Sequence, residues 1–181
     1  MQVKNDPCPC GSSKKAIDCC LTSAGYWHKA AAIIAPPAPA TGYANSNCSA
    51  ASLQDCASKT CREHFISENV LKQIAQSGVV KIAGLSWQPA EVFAALPTNA
   101  IASRVLCTRH GDALSPLDAE FGRFFGTLEE IDDALRDGKE AQAFRLFSGE
   151  NLERWMLKML LGAVSSENFT SRLKEDCLEL L

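Results

Sequence analysis

Nine cysteines stand in this chain of 181 residues, and four of them fall within thirteen positions: Cys8, Cys10, Cys19 and Cys20. So short a segment holds too few apolar side chains to bury a core, so a covalent or coordinate link has to fold it. Four thiolates suit a closed tetrahedral shell of the kind zinc takes in structural sites. The pair Cys8 and Cys10, split by Pro9, can present both sulfurs from one extended turn. Gly11 lets the chain reverse, and Cys19-Cys20 close the shell. Metal binding then supplies folding energy, on the order of 10–16 kcal/mol in comparable peptides.

A second set of metal-binding residue types is spread more widely. Cys48 and Cys56 precede Arg62-Glu63-His64, and Cys107-Thr108-Arg109-His110 follows some fifty residues later. Cys48, Cys56, Cys107 and His110 make a second four-ligand shell, with Cys61 able to replace either of the first two. Cys177 lies among leucines and reads as packing. His64, with a carboxylate beside it, has the residue type of a general base. The alternative for His64 is a hydrogen bond inside the core.

Elements must position these groups. Ser67 can cap a helix with Val70, Leu71 and Ile74 on one face, ended by Gly78. Val79 to Gly84 and Ile101 to Leu106 read as strands, the latter running directly into Cys107. Ser115-Pro116-Leu117-Asp118 has the pattern of a helix start. That helix is predicted to reach about Asp137 with Leu117, Phe121, Phe124, Leu128, Ile131 and Leu135 on its apolar face. The Trp87 region, 85–89, is expected to fill the core. A short helical end is expected around Tyr26-Trp27-His28, stopped by Pro36 and Pro37. Residues 139–181 read as helical, with Leu152, Trp155, Met156, Met159 and Leu160 at helical spacing.

The expected organisation is α+β: a zinc knot over 1–28, a linker over 29–47, a second zinc-bearing domain over 48–137 and a helical extension over 138–181. A formal charge of −3 gives no global pull toward nucleic acid or an anionic membrane. The apolar stretch 30–40 is broken by three prolines and is far shorter than the about 20 residues a spanning helix needs. The N-terminus lacks the apolar run of a signal peptide. A cytoplasmic protein, whose thiols stay reduced, is expected.

The first segment resembles the SEC-C motif, a zinc-binding module with the order Cys-x-Cys, eight residues, Cys-Cys or Cys-His. It shares the Pro-Cys-Pro-Cys-Gly-Ser start and Lys14-Lys15; Ser13 stands where glycine is more usual. The resemblance implies a docking or stability module, since all four ligand positions are taken by protein. In the bacterial protein-translocation ATPase such a tail contacts a chaperone.

Residues 48–120 resemble an HNH-type treble-clef (ββα-metal) zinc finger. That resemblance implies a structural zinc on Cys48, Cys56, Cys107 and His110, with His64 as general base. It also implies a second cation, magnesium or manganese, near Glu63. Two departures stand out. Seven residues separate Cys48 and Cys56, where two are more usual in the family. Gly111 occupies the place of a cation ligand, leaving Asp112, one position on, as the substitute. Arg62, Arg104 and Arg109 are candidate phosphate contacts. The function expected is a zinc-binding protein, two ions per chain, that docks a protein or nucleic acid. The alternative is a metal-dependent endonuclease.

Overall fold

A computed structural model describes residues 4–64, 66–75, 77–83, 88–89, 92–140 and 144–166. The Trp87 side chain, Cys177 and the end of the chain lie outside those residues. The fold is α+β, with small antiparallel sheets and three helices. In chain order, β1 is Thr60–His64, α1 Glu68–Ile74, β2 Val79–Ile82, β3 Ala94–Pro97, β4 Ala102–Cys107, α2 Thr108–Arg136 and α3 Gly149–Ser165. Short 3-10 turns cover Ala51–Leu53 and Thr98–Ala100.

Strand β1 pairs with β4, Thr60 opposite Cys107 and His64 opposite Ala102, with an irregularity between Cys61 and Glu63. Strand β2 pairs with β3, Val79 opposite Pro97. The two ribbons share few residues with the main apolar cluster. Instead Leu71, Val80 and Ile101 tie α1 to the β2–β3 side. Val70, Leu117, Phe121 and Trp155 join α1, α2 and α3. The Phe121 and Trp155 rings stack with centroids 3.3 Å apart.

The longest helix departs from the expected start. It begins at Thr108, seven residues before Ser115, and Pro116 lies inside it. A proline in a helix has no N–H for the carbonyl four residues back. Here that carbonyl belongs to Asp112, and the Ser115 hydroxyl donates to it at 2.8 Å. The Ser-Pro pair therefore repairs an interior turn. The apolar face also ends early, because Leu128 and Leu135 are exposed. On α3, Trp155 is buried while Met156 and Leu160 face outward.

Ser67 does precede α1, but makes no side-chain cap. Its hydroxyl instead donates to Asp118 and accepts from the Trp155 indole N–H. No helix forms at Tyr26-Trp27-His28; Trp27 bridges to Leu21 as extended chain. Residues 29–47 carry no helix or strand, yet they are fastened to the helices. Ala32 N–H donates to Asn151 Oδ1 at 2.9 Å, and Arg154 donates to the Ala32 carbonyl at 3.1 Å.

The strongest of these ties is at Glu120, a buried carboxylate on α2. It accepts from Lys29 at 2.6 Å, from Ser148 N–H at 2.9 Å, and from Asn151. Burial alone would raise its carboxyl pKa, but these donors, Lys29 foremost, hold it below the usual range. Because the folded pKa is depressed, the stabilisation is present above the ordinary carboxylate pKa and is lost as pH falls through the folded value. Glu120→Ala is expected to cost about 3 kcal/mol at neutral pH, since it orphans a buried lysine and two donors. Urea unfolding at neutral pH and at progressively lower pH checks both the cost and its loss in acid.

Candidate metal centres

The N-terminal segment folds around its sulfurs. Cys8 N–H donates to the Lys14 carbonyl at 2.8 Å, Ala16 N–H to Asp6 at 2.9 Å, and Pro7 bridges to Lys15. This ring of backbone bonds makes a loop with its thiols pointing inward. Gly11 adopts φ +79°, the left-handed turn that the reversal requires. Cys8, Cys10 and Cys20 are buried, and Cys19 is exposed. Their sulfurs lie within 4.8 Å of one another; Cys10–Cys19 is 3.5 Å and Cys19–Cys20 is 3.6 Å. A tetrahedron with metal–sulfur bonds of about 2.3 Å has edges of about 3.8 Å. The segment fits one metal ion held by four sulfurs.

The electrostatics agree with ligation. Burial opposes ionisation of Cys10, but hydrogen bonds from Ser12 and the neighbouring thiols outweigh it and bring its pKa down to about 6. Burial, with the adjacent thiols, pushes Cys20 up. One thiolate therefore forms readily, and a cation is what allows its neighbours to follow.

The second centre is assembled from three parts of the chain. Cys48 and Cys56 flank the 3-10 turn Ala51–Leu53, Cys107 ends β4, and His110 sits in the first turn of α2. All four are buried and bring one ligand atom each within 4.8 Å of the others. His110 presents Nδ1 to all three sulfurs, at 3.5 Å from Cys48, 3.8 Å from Cys56 and 3.2 Å from Cys107. Backbone amides support the sulfurs: Cys107 N–H donates to Cys48 Sγ and Ala57 N–H to Cys107 Sγ, both at 3.3 Å. Burial raises the Cys48 thiol pKa to about 11. Burial opposes ionisation of Cys107 too, but there the amides of His110 and Ala57 win and its pKa is lowered. Asn45, also buried, donates to the carbonyls of Ala57 and Ser58 and closes the loop that carries the first two ligands. The donor set of three sulfurs and an imidazole suits a closed tetrahedral ion.

Cys61 does not enter this shell. Its thiol donates to the carbonyls of Leu106 at 3.4 Å and Cys107 at 3.6 Å, and burial raises its pKa. Among the described residues only the two clusters above gather three or more metal-binding side chains, so Glu63, His64 and Asp112 do not converge on a common point. Asp112 is exposed at the start of α2.

Glu63 has another partner. The Lys158 ammonium, arriving from α3, contacts both Glu63 and Asp118. The lysine side chain is only 7% exposed. Gly111 closes the other side: a Cβ there would lie 2.7 Å from Cys61 Sγ and 3.5 Å from Glu63 Oε2. Nothing in the sequence pattern singles out Lys158, since it lies 95 positions from Glu63 on a helix that otherwise reads as amphipathic.

The arginines divide as well. Arg62 and Arg104 are the exposed residues of the paired strands β1 and β4. Arg62 donates to the Asn99 carbonyl. Arg109 turns inward, to Asp55 at 2.9 Å and to the carbonyls of Pro37 and Pro39. Its guanidinium holds the 37–55 loop rather than facing solvent.

Compared with known proteins, residues 5–22 match the SEC-C motif. The match takes in all four cysteines of the first centre, so the N-terminal segment is a SEC-C metal-binding motif. Neither a curated protein nor a solved structure matches the chain. No helix among the described residues is long and apolar enough to cross a membrane.

Proposed function

We propose that this chain is a two-zinc docking protein, with one ion in the SEC-C knot and one in the Cys48, Cys56, Cys107, His110 shell, and with no reaction of its own. Each shell offers four protein ligands, which leaves a bound ion no open position for water or substrate. The order of elements around the second shell supports a degenerate HNH-like finger: two cysteines, an extended pair, then a cysteine and a histidine at a helix start. Residues 65–101 interrupt its two strands with a helix and a second ribbon. A cytoplasmic location accords with the eight described cysteines, all of them free thiols.

The observation that carries the non-catalytic reading is Lys158. A nuclease of this type needs a divalent cation to neutralise charge on the departing oxygen. Here the carboxylate expected to help hold that cation is neutralised by an ammonium from the protein itself. Gly111 supplies no ligand beside it, and Asp112 faces solvent. His64 then has a base's chemistry without the cation that its role requires.

Supercoiled plasmid incubated with the zinc-loaded protein and magnesium or manganese should remain uncut. Nicking that vanishes in His64→Ala, with zinc content unchanged, would make the chain an endonuclease instead.

A further inference from the structure

A cavity of about 590 Å³ opens between the SEC-C knot, α1, α2 and the segment before α3. Its volume is within the roughly 300–1,000 Å³ of ligand sites. Two glycines one turn apart on α2 make it possible. A Cβ at Gly122 would lie 2.8 Å from Asn69 Cβ, and one at Gly126 would lie 3.4 Å from Gln73 Nε2. The α2 wall is therefore bare backbone, against which an extended chain can lie.

The lining carries three cations, Lys72, Arg123 and Arg145, against one carboxylate, Glu130, in a protein whose net charge is −3. Arg123 is fixed: its Nη1 donates to the Cys10 carbonyl at 2.8 Å, so the metal knot orients one guanidinium at the cavity wall. Lys72 and Arg145 are held only by surface pairs, to Glu68 at 3.0 Å and Glu130 at 3.8 Å. Pairs so exposed contribute little and exchange readily for a ligand carboxylate. Gln73 adds a different demand. Its Nε2 donates to the Gly122 carbonyl at 3.1 Å, while Oε1 is buried without a hydrogen-bond partner. That acceptor needs an N–H. A peptide backbone supplies one, and a phosphate diester does not.

We infer that this cavity docks an acidic peptide segment of a partner protein, with carboxylates on Arg123, Arg145 and Lys72 and a backbone N–H on Gln73. Guanidinium–carboxylate pairing is directional and charge-assisted, which gives the site its selectivity. The assignment rests on a docking rather than a catalytic role for the chain.

The test uses the full-length, zinc-loaded protein and a fluorescein-labelled, amidated hexapeptide of alternating glutamate and alanine, followed by anisotropy at low salt. Saturable binding is expected. It should weaken at least about tenfold when glutamine replaces every glutamate of the peptide, and equally in the double variant Lys72→Gln/Arg145→Gln. Both of those side chains are largely exposed, at 65% and 48%, so the variant retains its fold and zinc. No saturation, equal affinity for the glutamine peptide, or an unaffected double variant would each overturn the site. So would stronger displacement by a single-stranded oligonucleotide of the same charge than by unlabelled peptide. Plasmid nicking by the same preparation would overturn the docking role itself. Failed peptide binding without nicking would remove this cavity alone.

Discussion

Cys107→Ser is expected to release one zinc ion and to lower the stability of the central domain by several kcal/mol, on the order of 5. The reason lies in what surrounds the residue. Cys107 is fully buried, and its packing cluster consists of Cys48, Cys56 and Leu106 with small neighbours. Most of that cluster is ligand, so the loop carrying Cys48 and Cys56 has little apolar packing to hold it once the ion leaves. The strand pair β1–β4 ends at the same residue, through Thr60 opposite Cys107. Loss of the shell therefore frees the loop, the end of the ribbon and the first turn of α2 together. Cys8→Ser should behave differently. It breaks the knot, whose packing involves only Trp27 and Leu146 beyond its cysteines, and leaves the Phe121–Trp155 core in place. Urea unfolding followed by helical circular dichroism separates the two variants. An equal loss of helical signal in both would refute two independent metal modules.

Lys158→Met should cost about 3–5 kcal/mol, the usual consequence of removing one partner from a buried ion pair. Glu63 and Asp118 would then face each other uncompensated, at side-chain exposures of 16% and 22%. The further changes Glu63→Gln and Asp118→Asn should recover most of the loss, because neutral amides do not need the ammonium. Denaturant midpoints of the single and triple variants measure this coupling. A loss below about 1 kcal/mol in Lys158→Met would mean that the lysine is a solvated surface charge. The reading of Glu63 as already neutralised would then fail.

The ligands were legible in the sequence, because a shell of thiolates depends on residue types that have few other uses when clustered. The SEC-C knot is contained in a short stretch, and its spacing specifies its own loop. For the second centre, the positions of Cys107 and His110, at the end of a strand and the start of a helix, could be read from local pattern. The long α2 could not. Ser115-Pro116 has the chemistry of a helix start, and only the bond from Ser115 to the Asp112 carbonyl reveals it as an interior repair. Glu120, with Lys29, and Glu63, with Lys158, were invisible for another reason. Their partners are 91 and 95 positions away, and a single lysine carries no periodic signal. The same holds for Arg109, whose neighbours in sequence suggest a surface cation while Asp55 draws it inward.

Zinc content per chain tests the account most directly. Elemental analysis of purified full-length protein should give two zinc ions, falling to one in Cys107→Ser and to one in Cys8→Ser. A single ion in the full chain that is lost with Cys8→Ser and unaffected by Cys107→Ser would contradict the second centre, and with it the two-zinc account.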